Sequence, residues 1–117
     1  MFSTVQLVIL YGSQARGTET SGSDIDLAIA GERRFGPEEL VEIQTRLSNS
    51  SGREIDLIDL NVATGTVFKE ALVTGRILLN TDSELYARIL SRLVFEEADF
   101  EPHRRRLLEE QRKKVLG

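Results

Sequence analysis

The chain has 117 residues, a net charge of −4 and no cysteine. That length suits one domain that can bury a core unaided, and the lack of cysteine excludes disulfides and thiolate metal sites. The charge is uneven: residues 1–100 carry nine Lys/Arg against sixteen Asp/Glu, and residues 101–117 carry six against three. An acidic body argues against a general nucleic-acid binder, which needs a basic footprint. The basic end fits either a binding patch or a solvated helix face. The opening Met1-Phe2-Ser3-Thr4 lacks the charged region and long apolar stretch of a signal peptide, and no apolar run approaches a membrane span. The expectation is a cytoplasmic protein.

Val5 to Tyr11 is a β-branched and apolar run with the length of a buried strand. Gly12-Ser13 ends it, and a helical turn over Gln14 to Thr18 is expected, with Ser13 as its N-cap. The polar stretch from Thr18 to Ser23 reads as a loop. In Asp24 to Ala30, Ile25, Leu27 and Ile29 alternate with Asp24, Asp26 and Ala28, which is strand periodicity. Pro37, Glu38 and Glu39 open a helix, and Leu40, Ile43 and Leu47 carry it to about Ser48. Arg53 to Leu60 alternates again and gives a third strand. Val67, Phe68, Ala71 and Leu72 predict a short helix with Gly75 just past its end as a left-handed C′ residue. Ile77 to Leu79 predicts a small strand.

Leu85, Ile89 and Leu93, with Tyr86, Leu90 and Val94, define a long amphipathic helix that should pack on the sheet. Pro102 interrupts it. Beyond it the apolar row thins to Leu107, Leu108 and Val115 among basic residues, and that stretch is expected to dock a partner protein or a second copy of the chain. Alternation of strands and helices predicts an α/β layer. The whole chain reads as one domain, with a core over about 5–80 and a helical segment over about 82–117. The connection between the first two strands is short for a full crossover helix.

Asp24 and Asp26 lie two apart on a strand, so their side chains share a face. Adjacent carboxylates repel unless something positive sits between them. Mg²⁺ suits that place, because it takes oxygen ligands from one or two carboxylates plus substrate phosphates. A D-x-D at a strand edge also fits simple solvation. Asp56, in a third strand built for burial, could complete a two-ion site. Asp59 has the opposite parity and sits beside Asn61, which favours a turn role for it. Gly12-Ser13 follows a strand and opens a helical turn, a place where backbone N–H groups and a hydroxyl hold phosphate. Arg16, one turn on, fits either a phosphate contact or a surface arginine.

Gly12-Ser13, ten residues, then Asp24-Ile25-Asp26 resembles the G-S-x10-D-x-D signature of the minimal nucleotidyltransferases, a branch of the DNA polymerase β-like nucleotidyltransferase superfamily. The strings GSQARG and SDIDLAI are similar to theirs as well. The resemblance covers about Val5 to Leu79. It implies a small mixed sheet with flanking helices, in which Asp24, Asp26 and Asp56 bind Mg²⁺ and Gly12 and Ser13 hold the triphosphate. ATP is the implied substrate, with attack on its α-phosphate and pyrophosphate leaving. Proteins of this kind are often paired with a helical HEPN ribonuclease and adenylylate a tyrosine of that partner, which makes them antitoxins. A binding module that masks its partner without chemistry, and transfer to a small molecule with a homodimer completing the pocket, are the other readings.

Overall fold

In the computed structural model, residues 4–12 and 24–97 are described. Four strands form one sheet in the order β3-β2-β1-β4. They are β1 (Leu7–Tyr11), β2 (Ile25–Ala30), β3 (Ile55–Asp59) and β4 (Arg76–Asn80). Helix α1 (Pro37–Ser51) joins β2 to β3, and α2 (Gly65–Thr74) joins β3 to β4. A further helix, α3, runs over 83–97 of the described residues. The sheet is mixed, as the resemblance implied.

The short link between β1 and β2 has a simple resolution. The two strands are antiparallel, with Tyr11 opposite Asp26 and Leu7 opposite Ala30, so no crossover helix is needed between them. The expected turn over Gln14 to Thr18 lies outside the described residues, as does everything beyond residue 97. The β2 and β3 strands are parallel and are joined by the crossover helix α1. The small strand expected at Ile77 to Leu79 is the core of β4, which pairs with β1 at the sheet's edge. A bulge there sets Val8 opposite Leu79 but Ile9 opposite Ile77, leaving Leu78 as the extra residue.

Each sheet face has its own core. On one, Leu7, Ile9, Tyr11, Ala28 and Ala30 meet Phe68, Ala71 and Leu72 of α2 and Leu85 and Ile89 of α3. On the other, Ile29 packs with Phe35 and Ile43, and Val8, Leu40, Leu47 and Leu57 close around them. Burial on both faces explains why the last four residues of β2 are all buried, small alanines alternating with larger residues. The predicted apolar stripe of α3 docks through Leu85 and Ile89, with Tyr86, Leu90 and Leu93 partly covered, whereas Val94 stays exposed.

The helix ends follow local chemistry. Pro37 starts α1, and the Glu39 carboxylate accepts the Gly36 N–H at 3.2 Å. The helix runs one turn past Ser48 and stops at Gly52, whose φ of 70° is left-handed. Asp82 caps α3, its carboxylate accepting the N–H groups of Glu84 and Leu85. Gly75 is a correction. Its φ is −74°, so it is not the left-handed residue expected after α2. Close packing requires the glycine instead: a Cβ there would strike the Ala71 carbonyl oxygen and the Ile9 side chain.

Candidate functional site

The site candidates gather where the registers of three strands coincide. Tyr11 of β1 stands opposite Asp26 of β2, and Asp26 stands beside Asp56 of β3. Neighbouring strands run about 4.8 Å apart, so these three side chains form a rank across one sheet face. That face is the one covered by α2 and α3, because Ile9 and Ala28, the next pair along it, belong to the core there. Strand parity carries Asp24 to the same side, and the backbone is held at that point by the Ile25 N–H bond to the Glu54 carbonyl at 2.9 Å. Asp26 is half-buried, while Asp24 and Asp56 are exposed.

Gly12 follows directly after Tyr11 with a φ of 72°. It is buried, and a Cβ at this position would run into the Asp26 carboxylate. The glycine is therefore needed twice, for its left-handed backbone and for the space that Asp26 fills. Ser13 and Arg16 lie outside the described residues.

Asp59 has a different task. It is 6% exposed, and its two oxygens accept the Phe35 N–H at 2.8 Å and the Asn61 N–H at 2.9 Å. In register it stands beside Ile29, on the opposite sheet face from Asp56. The second bond makes an Asx turn at the end of β3. Arg92 of α3 fixes the same loop, donating to the carbonyls of Leu60, Asn61 and Ala63 at 2.6, 3.0 and 2.7 Å. Its guanidinium lies 4.1 Å from the Phe68 ring centroid.

Two residues of this face were missed in the sequence. Burial, then the charges of Asp26, Asp56 and Glu70, push the Tyr11 hydroxyl up to about 12. It therefore stays protonated at neutral pH. Glu70 sits half-buried on α2, the helix packed over this face. Its signal in the sequence is an acid within the apolar stripe Val67, Phe68, Ala71 and Leu72. Tyr11 carried no sequence signal beyond its place before Gly12.

The donor set suits Mg²⁺ in kind: hard carboxylate oxygens, two of them register-locked, whose charge is felt by a buried hydroxyl. Among the described residues, no group of three acid or histidine side chains is gathered closely enough to form a ready-made metal cage. Mg²⁺ does not require one, since one or two carboxylates plus substrate phosphates suffice. No helix of the described residues is long and apolar enough to cross a membrane.

A mixed sheet with paired acids beside a left-handed glycine fits a nucleotidyltransferase, and the family model described as polymerase beta, nucleotidyltransferase matches residues 2–84. The chain belongs to that family. Among individual proteins, it is 31% identical over 85 residues to the protein adenylyltransferase MntA of Shewanella oneidensis, a match covering 71% of this chain. The chain spans about three-fifths of that relative's length, 61%. Among solved structures, it is similar to a toxin–antitoxin crystal structure with AMP-PNP, with a TM-score of 0.71 and 25% identity over 86% of this chain and 84% of that one. A complex of a tri-AMPylated Shewanella oneidensis HEPN toxin with an MNT antitoxin shares the fold at a TM-score of 0.64 and 24% identity, covering 86% and 81%.

Proposed function

We propose that this protein is a Mg²⁺-dependent adenylyltransferase that moves AMP from ATP onto a tyrosine of a HEPN-type toxin, and so acts as its antitoxin. The observation that carries the reading is the pairing of Asp26 with Asp56 on one sheet face, beside a buried left-handed Gly12. The similarity to MntA, a protein adenylyltransferase, supports the choice of AMP and of a protein acceptor.

In this reading Asp24, Asp26 and Asp56 hold up to two Mg²⁺ ions. When bound, Mg²⁺ supplies positive charge that offsets the phosphates and eases loss of the acceptor's proton. Gly12 and Ser13 hold the triphosphate through the turn's N–H groups and hydroxyl, and Arg16 meets a phosphate oxygen. The acceptor oxygen attacks the α-phosphorus, the new P–O bond forms opposite the breaking bond to the β-phosphate, and pyrophosphate leaves. The exposure of Asp56 supports a role for it in receiving the acceptor from solvent.

Pyrophosphate release tests the reading. Wild-type protein with ATP, Mg²⁺ and its co-expressed partner should release pyrophosphate as the partner's intact mass rises in AMP steps. Asp24→Asn combined with Asp26→Asn should do neither while remaining folded. An unmodified partner that is nonetheless inhibited would favour masking by contact. Pyrophosphate release with small alcohols alone would favour a small-molecule acceptor.

A further inference from the structure

Asp56 stands on an outer strand of the sheet: among the described residues, no strand lies beyond β3. The far end of β3 is tied down by the turn at Asp59, by Arg92, and by the Leu60 N–H bond to the Ile29 carbonyl at 2.8 Å. At the near end, where Asp56 sits, the side-chain amide of Gln44 on α1 donates to the Ile55 carbonyl at 2.8 Å. The place of this bond is specific. The Glu54 carbonyl accepts the Ile25 N–H and so faces β2, and the next carbonyl along a pleated strand, that of Ile55, faces outward. The Ile55 carbonyl and the Asp56 N–H belong to one planar trans peptide unit, so the Asp56 N–H turns toward β2. Gln44 thus holds from outside the same peptide unit that the sheet holds from inside. Gln44 is itself well anchored, because it follows Ile43, which is 4% exposed in the core with Ile29 and Phe35. Its helix covers the sheet face opposite to the Asp56 carboxylate.

We propose that Gln44 is a positioning residue of the transfer site: it fixes the peptide unit that carries Asp56, and so keeps that residue abreast of Asp26 across the sheet. A strand edge whose backbone groups face only water opens locally more readily than one tied to a packed helix. Without the tie the Ile55 carbonyl is hydrated, the start of β3 moves more freely, and the Asp56 carboxylate spends less time where transfer needs it. The effect reaches the chemistry through the backbone alone, since Gln44 lies on the other side of the sheet. This inference rests on the adenylyltransferase reading, in which Asp56 serves the transfer.

The test pairs amide hydrogen exchange, followed by nuclear magnetic resonance on the full chain without metal or nucleotide, with the kinetics of AMP transfer to the purified partner. Gln44→Met keeps the length and helix propensity of the side chain but removes the donor, and Gln44→Lys returns a donor of similar reach. In Gln44→Met the Asp56 amide should exchange about three- to tenfold faster, the loss of one hydrogen bond, while the Leu60 amide at the far end of β3 is unchanged. The kcat for transfer should fall about tenfold, with the KM for ATP nearly constant. Gln44→Lys should recover most of both. Equal acceleration at Asp56 and Leu60 would reduce Gln44 to a contributor to global stability and overturn the proposal. Local acceleration with undiminished transfer would overturn it too, and so would a Gln44→Lys protein as impaired as Gln44→Met. Undiminished transfer by Asp56→Asn would instead overturn the reading of Asp56 as a transfer residue, and this inference with it, whatever the amides show.

Discussion

Replacing Gly12 with alanine separates two costs that share one residue. The first is backbone strain: at a φ of 72° a Cβ costs about 1–2 kcal/mol. The second is local, because that Cβ would enter the space of the Asp26 Oδ2. Gly65 provides the control within the same molecule. Its φ is also 72°, and nothing lies within 4 Å of where its Cβ would stand. Gly65→Ala should therefore lose only the strain, about 1–2 kcal/mol, which lowers the Tm by about 3–10 °C in a domain of this size. Gly12→Ala should lose that much and somewhat more. Its larger effect falls on chemistry, because the Asp26 carboxylate must swing away. Misplacement of a reacting group by about 1 Å costs roughly 100-fold in rate. The assays are urea unfolding and AMP transfer per folded molecule for both variants. Transfer in Gly12→Ala equal to that in Gly65→Ala would refute the argument, because Asp26 would then not depend on the gap that Gly12 leaves.

Asp56→Asn should abolish transfer while leaving stability unchanged or slightly higher, since it relieves repulsion with Asp26. Asp59→Asn should do the reverse, costing about 1–3 kcal/mol by leaving the Phe35 or Asn61 N–H without an acceptor while transfer per folded molecule persists. Kinetics and chemical denaturation on the two variants decide between them, and an inactive but stable Asp59→Asn would reverse their roles. Arg92→Ala should cost about 2–4 kcal/mol by releasing the carbonyls of Leu60, Asn61 and Ala63, read as a shift in the urea midpoint. Tyr11→Phe changes the pH dependence. The unfolded chain ionises this tyrosine near its ordinary pKa of 10, whereas the fold holds the proton until about 12. Its contribution is therefore fully present below pH 10 and is lost as pH rises toward 12. The phenylalanine variant should unfold less steeply across that range.

The strands were legible because each alternates or runs apolar over the length a strand needs: VQLVILY, DIDLAIA and REIDLIDL mark themselves by period alone. Asp59 could be set apart from Asp56 by parity, and its neighbour Asn61 pointed to the turn that the structure shows. What the sequence withheld depends on strand order. Tyr11 becomes a neighbour of Asp26 only because β1 and β2 are antiparallel in one particular register, and that register is set by packing on both faces. The charge of Glu70 bears on the same hydroxyl only because α2 packs over this sheet face, which helical periodicity does not encode. Gly75 was misread for a related reason. A glycine after a helix signals either a left-handed cap or a close approach, and only the tertiary contact with Ile9 chooses between them.

The central claim is that Asp26 and Asp56 together direct the transfer of AMP to a protein. The most direct measurement uses ATP labelled at the α-phosphorus, Mg²⁺ and the purified partner, with wild type compared against Asp26→Asn and Asp56→Asn. The account predicts label on a tyrosine of the partner with wild type and none with either variant, all three proteins binding the partner equally. Label transferred undiminished by either variant, or a wild type that inhibits its partner without labelling it, would contradict the account.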